Sequence, residues 1–204
     1  MKIKNILAIT ALVGLGMTAQ AAPIVFDFLS DGSNLALGSS HTFTSGGASL
    51  TAYASSSQLY AKLANGESGL GLTGDPSGDN EIWAGEFIQL LSATGSSSFA
   101  ISSISLDSTT AGEIANIYFS TVQGTLGILI GSVSSDTSFA ISSIYQNGFI
   151  GVGAGGIGGG GTGSKASNVL IGSVTGYVPD GGTTVAMLGG AITALGLIRR
   201  KLVA

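Results

Sequence analysis

Between Ala22 and Tyr177 the apolar residues come in short runs fenced by Gly, Ser, Asn and Asp, and no run repeats at helical spacing. That pattern predicts an all-β body. IVFDF at Ile24–Phe28 is followed by turn residues. HTFTSGGASLTAYA, from His41 to Ala54, reads as a hairpin across Gly46-Gly47, because two successive glycines permit the positive φ angles of a tight turn. EFIQLL, SFAISSISL, IANIYFSTV, GILIGSV and NVLIGSV continue the series. Many short strands at close spacing point to a β-sandwich, jelly-roll-like, over residues 22–177.

Two internal echoes accompany the strands. SFAISSI occurs at Ser98–Ile104 and again at Ser138–Ile144, and LIGSV occurs at Leu129–Val133 and at Leu170–Val174. They suggest duplication of a strand-pair unit. From Gly151 to Gly163 nine of thirteen residues are glycine, which reads as a flexible surface loop. A phosphate-binding loop would need a helix after it, and a strand pattern follows instead.

Charge is scarce and unevenly placed. Charged residues are 9% of the chain, and five of the seven basic ones lie near the ends: Lys2, Lys4, Arg199, Arg200 and Lys201. Ten acids against Lys62 and Lys165 leave the body eight charges negative. Such a surface repels a phosphate backbone, so no nucleic-acid partner is expected. The absence of cysteine excludes disulfides, thiol nucleophiles and thiolate metal sites. The single histidine, His41, falls in a strand pattern with no nucleophile motif beside it, which argues against a catalytic triad.

Residues 1–21 read as a secretory signal peptide. Lys2 and Lys4 form the positive region, Ile6 to Met17 the apolar region, and Ala19 and Ala21 the small residues of a cleavage site. The partners this implies are the secretion translocon and signal peptidase.

The other end has three parts. Val178, Pro179, Asp180, Gly181 and Gly182 form a turn or breaker. Thr183 to Ile198 carry no charge and would make a helix roughly 24 Å long, short against a hydrocarbon core of about 30 Å. On hydropathy alone a short transmembrane helix and a buried helix stay equally open. Arg199, Arg200 and Lys201 then supply a basic cluster suited to a stop-transfer role.

Motif, apolar segment and basic cluster, in that order, resemble the VPDGG-CTERM sorting signal, a relative of the PEP-CTERM signals read by exosortases in Gram-negative bacteria. The resemblance implies that residues 178–204 are a processed sorting signal. Val178 to Gly182 would be recognised, Thr183 to Ile198 would anchor the chain transiently in the inner membrane, and an exosortase would cleave near the motif. It also implies a destination at the cell surface, outer membrane or extracellular matrix, in company with exopolysaccharide. The chain is then the substrate of an enzyme and supplies no catalytic group itself.

Within the body, GDPSGDNEIWAGE at Gly74–Glu86 is the densest collection of polar chemistry. Asp75, Asp79, Asn80, Glu81 and Glu86 offer hard oxygen ligands suited to Ca²⁺, although the spacing is not that of an EF-hand and the same residues also make an ordinary turn. Glu81 and Glu86 are the one pair that would serve a glycosidase, with nothing else resembling an active site. Trp83, the only tryptophan, fits either a core position or a stacking platform for a sugar, as do Tyr53 and Tyr60. The expectation is an exported, non-enzymatic protein without cofactor and with a structural or adhesive role. The alternative is a carbohydrate-binding module, calcium-dependent if the acidic loop holds the ion.

Overall fold

The computed structural model describes residues 22–28, 34–64, 66–74, 78–92, 99–107, 113–155 and 168–178, together with residues 189, 190, 192 and 199. Contacts group the chain into Pro23–Pro179 and a second unit made of Met1–Ala22 with Asp180–Ala204. In the second unit Gly189, Gly190, Ile192 and Arg199 are helical and exposed. Among the described residues no helix is long and apolar enough to cross a membrane. The remainder of the expected signal peptide and of the expected C-terminal helix lies outside the described residues.

The first unit is all-β and consists of two sheets. Seven strands form one sheet: β1 (Ile24–Asp27), β2 (Leu35–Gly38), β5 (Leu59–Ala64), β6 (Glu67–Leu72), β8 (Ala100–Asp107), β11 (Ser138–Ala140) and β13 (Leu170–Tyr177). Six form the other: β3 (Ser40–Ser45), β4 (Ala48–Ala54), β7 (Phe87–Ser92), β9 (Ala115–Ser120), β10 (Ile128–Val133) and β12 (Gly148–Ala154). The first sheet runs β11-β8-β13-β6-β5-β2, with β1 also on β13, and the second runs β10-β9-β12-β7-β4-β3. Every pairing between named strands is antiparallel.

Side-chain alternation gives each strand one apolar face. Leu59, Leu70, Leu72, Ile104 and Ile171 from the first sheet join Leu50, Ile88, Leu90, Ile117 and Ile150 from the second in one buried cluster. Two T-shaped ring pairs extend it, Phe26 with Phe99 and Phe28 with Phe43, at centroid distances of 4.9 and 4.8 Å. The hairpin read from Gly46-Gly47 is present: β3 pairs with β4 from Ser45↔Ala48 outward, and the two glycines have φ of 54° and 80°.

The structure departs from the sequence reading in three places. LYAKLA and ESGLGL, which the pattern of runs passes over, are strands β5 and β6. The glycine-rich run begins inside strand β12, where Gly151, Val152 and Gly153 are buried, and not in a surface loop. Its residues 156–163 lie outside the described residues. The echoes do not occupy equivalent places. The two SFAISSI copies fall on neighbouring strands, with Phe139 of β11 opposite Ile104 of β8, whereas LIGSV is an edge in the six-stranded sheet and a centre in the other. Ile104 is fully buried while its counterpart Ile144 is 74% exposed.

Ile150 sits at the middle of β12, a strand paired on both sides. Ile150→Ala is expected to lower unfolding free energy by about 2–5 kcal/mol, read as a reduced urea midpoint with an unchanged slope.

Candidate functional site

The acidic segment folds as a strap across the outer surface of the seven-stranded sheet. Lys62 and Tyr60 of β5 stand opposite Gly69 and Gly71 of β6, and alternation turns all four away from the shared core. Gly69 lies close against Leu170 and Ile171 of β13, and Gly71 leaves room for another length of backbone. A Cβ at Gly71 would strike the Asn80 carbonyl oxygen, so the strap lies directly on the sheet only because no side chain is there. Asn80 takes a left-handed φ of 59°, which Asn tolerates better than most residues. Ile82 and Val169 then exchange backbone hydrogen bonds, with N–O distances of 2.9 and 3.3 Å.

One buried cation ties the strap down. The Lys62 ammonium donates to Glu81 Oε1 at 2.5 Å and to Glu67 Oε2 at 2.7 Å. The Lys62 and Glu81 side chains are only 3% and 5% exposed, whereas Glu67 is 35% exposed. Burial by itself depresses the lysine pKa. Hydrogen bonds and Coulomb attraction from Glu67 and Glu81 outweigh it, so the group is held above its ordinary value. The sequence reading did not find this centre. Its one signal was a lone lysine inside an apolar run in a body that holds only one other.

The other residues expected in this loop are already engaged or apart. Glu86 Oε1 accepts from Ser56 Oγ at 2.8 Å, and Oε2 is buried without a hydrogen-bond partner among the described residues. The Asn80 amide turns back to the Gly78 carbonyl at 3.3 Å. Asp79 is exposed, and Asp75 lies outside the described residues. Among the described residues no three of His, Cys, Asp and Glu gather to hold a metal ion. Trp83 is half-buried, and its carbonyl accepts from the Glu86 amide at 3.0 Å. His41, inside β3, packs edge-on against Phe43 at 4.7 Å.

A second clamp closes the outer surface of the other sheet. Gln89 of β7 is 1% exposed, and its amide bonds the turn between β9 and β10 at three points. Nε2 donates to the Val122 and Thr125 carbonyls at 3.4 and 2.8 Å, and Oε1 accepts from the Gly124 amide at 2.6 Å. In each sheet a buried polar side chain helps to hold a segment against the outer surface.

The expected sorting motif starts where the body stops. β13 ends at Tyr177, whose hydroxyl donates to Gln146 Oε1 at 2.7 Å, and Val178 follows directly, half-buried against the core. Residues 177–202 match the family model of the VPDSG-CTERM motif. The chain carries a VPDSG-CTERM sorting motif. It is a PEP-CTERM-like signal, with Gly181 where the motif's name has serine, and it marks an exported, cell-surface-directed substrate of an exosortase-type enzyme. No curated protein and no solved structure matches the chain. Of the motif and basic-cluster residues, Val178 and Arg199 are described, whereas Pro179, Asp180, Gly181, Gly182, Arg200 and Lys201 lie outside the described residues. So do Ala19 and Ala21 of the expected signal-peptide site.

Lys62→Met leaves the Glu81 carboxylate buried without its cation and is expected to cost about 3–5 kcal/mol. Lys62→Met with Glu81→Leu removes both charges and is expected to recover most of that loss in urea unfolding. Because the Lys62 pKa is raised in the folded state, its stabilising contribution is complete below the ordinary lysine range. It disappears as pH climbs through the folded value. The wild-type midpoint should therefore fall more steeply at high pH than that of the double variant.

Proposed function

We propose that this is a non-enzymatic protein of the Gram-negative cell surface or polysaccharide matrix, delivered by exosortase processing and serving a structural or adhesive role. The observation that carries the reading is the sorting motif, which begins on the last residue of the final strand. Residues 1–21 serve in this reading as a signal peptide that brings the chain to the translocon. Thr183 to Ile198 hold it briefly in the inner membrane, and Arg199, Arg200 and Lys201 stop transfer and keep the tail on the cytoplasmic side.

The reading of the body as a jelly roll is supported by its wiring. From β6 onward the first and last strands pair, β6 with β13, and then β7 with β12 in the opposite sheet. β8 and β9 continue inward beside β13 and β12, and β11 and β10 finish the two sheets. That nested order is the double Greek key of a jelly roll. A rigid body of this kind, acidic and poor in charge, suits a passive role in a hydrated polymer layer.

Residues 178–204 fused to the C-terminus of an unrelated exported reporter supply the test. In cells with the exosortase the reporter is expected to lose the tail and reach the surface. Changing Arg199, Arg200 and Lys201 together to Gln is expected to reduce that processing. A reporter that behaves alike with and without the tail would sink the proposal.

A further inference from the structure

We propose that the folded body controls access to its own sorting motif: Val178 is seated on the core at the end of β13, and a latch of Tyr177 on Gln146 must open before an exosortase-type enzyme can take the motif. Val178 serves twice. It is the first residue of the motif, and it is also a partly buried side chain packed against the hydrophobic core. Val174 and Gly176 of β13 are buried while Thr175 and Tyr177 are half-buried, so Val178 takes the next inward place in the same alternation.

The backbone hold on this end of the strand weakens one residue earlier. Gly176 pairs with Ile101 of β8 on one side and with Ile24 of β1 on the other. The β1 register ends there, and the residue before Ile24 is Pro23, which has no N–H to offer. Tyr177 therefore pairs on one side only, with Ala100 of β8. A side-chain bond makes up the difference: Tyr177 Oη donates to Gln146 Oε1 at 2.7 Å.

Gln146 is a firm anchor. It is 7% exposed, and its carbonyl accepts from Ser92 Oγ of β7 at 3.1 Å. The same Ser92 oxygen accepts from the Ile101 amide of β8 at 3.0 Å, so the latch is tied into both sheets. Behind it, the Phe99 ring lies directly over Gly176, where a Cβ would strike it. That packing confines any opening to the residues beyond Gly176.

Seated in this way, Val178 leaves Pro179 to Gly182 as the whole stretch before the uncharged segment that starts at Thr183. Those four residues span at most about 14 Å when fully extended. An enzyme that reads a linear motif takes it as an extended segment, with pockets for side chains and bonds to the backbone. A valine whose side chain is on the core cannot enter such a groove. Releasing Tyr177 and Val178 breaks one side-chain hydrogen bond and exposes one small aliphatic group, a local opening far short of unfolding the body. Where opening and closing are fast, cleavage follows the fraction of chains that are open. The latch sets that fraction.

This gating rests on the sorting reading above, and the test separates the two. The full chain is pulse-labelled in its own cells, with and without the exosortase gene, and loss of the tail is timed from the mass of the labelled chain. Gln146→Met lies outside the matched residues; it keeps the bulk of the side chain and removes Oε1, so the latch is lost and the motif is unchanged. Inserting Val-Gly-Ser-Gly-Ser after Tyr177 leaves a valine for the core and carries the whole motif clear of the body. Each is expected to shorten the lifetime of the uncleaved chain roughly three- to tenfold. Ile117→Val, at a fully buried position of β9, lowers global stability by an amount comparable to the loss of one hydrogen bond and does not touch the latch. It is expected to keep wild-type timing. Circular dichroism and urea midpoints establish that each variant is folded. The proposal is overturned if either folded Gln146→Met or the insertion loses the tail no faster than wild type, or if Ile117→Val speeds the loss as much as they do. Trimming of the wild type by the enzyme would in those cases leave the sorting reading standing. A wild-type chain that keeps its tail in the presence of the enzyme would overturn both together.

Discussion

Close approach of backbone to sheet is the constraint on which the rest of this molecule depends. The two sheets share a core of medium-sized aliphatic side chains with no disulfide to assist them. What distinguishes the fold is how the outer surfaces are finished. Gly71 lets the strap lie against one sheet, and Gly151 lets the turn carrying Leu126 lie against the other. The first contact requires a position without a side chain, because a Cβ at Gly71 would strike the Asn80 carbonyl, whereas a Cβ at Gly151 would only crowd the Leu126 side chain. Both segments are secured by a buried polar group.

The two clamps differ in energetic character. Gln89 is neutral and meets backbone partners on both sides of its amide, so it stays satisfied at any pH. Lys62 and Glu81 are charges withdrawn from water, and their mutual attraction chiefly offsets the cost of that withdrawal. Such a pair adds less to stability than its geometry suggests, yet neither partner can be lost alone. It fixes which residue of the acidic segment turns inward. Glu81 is consumed in holding the strap, and the acidity read from the sequence there is in part internal.

Much of this was legible in the sequence, for identifiable reasons. The Gly46-Gly47 hairpin was readable because its turn chemistry is local. The sorting tail was readable because it is a linear signal, recognised as a string of residues whatever the body does. β6 was missed because ESGLGL looks like a loop until Gly69 is seen against the β13 backbone and Gly71 beneath the strap. β12 was read as loop because glycine weakens an isolated strand, whereas here β7 and β9 hold it on both sides. The pairing of Lys62 with Glu81 spans nineteen residues and follows from the fold alone.

The central claim is that a folded β body ends in a removable address. The measurement that tests it most directly is intact-mass and C-terminal peptide analysis of the chain from its own cells, with and without the exosortase gene. The account predicts that the residues following the motif are missing only when the enzyme is present, and that any added mass sits at the new terminus. A chain that keeps Arg199, Arg200 and Lys201 in both strains would contradict it.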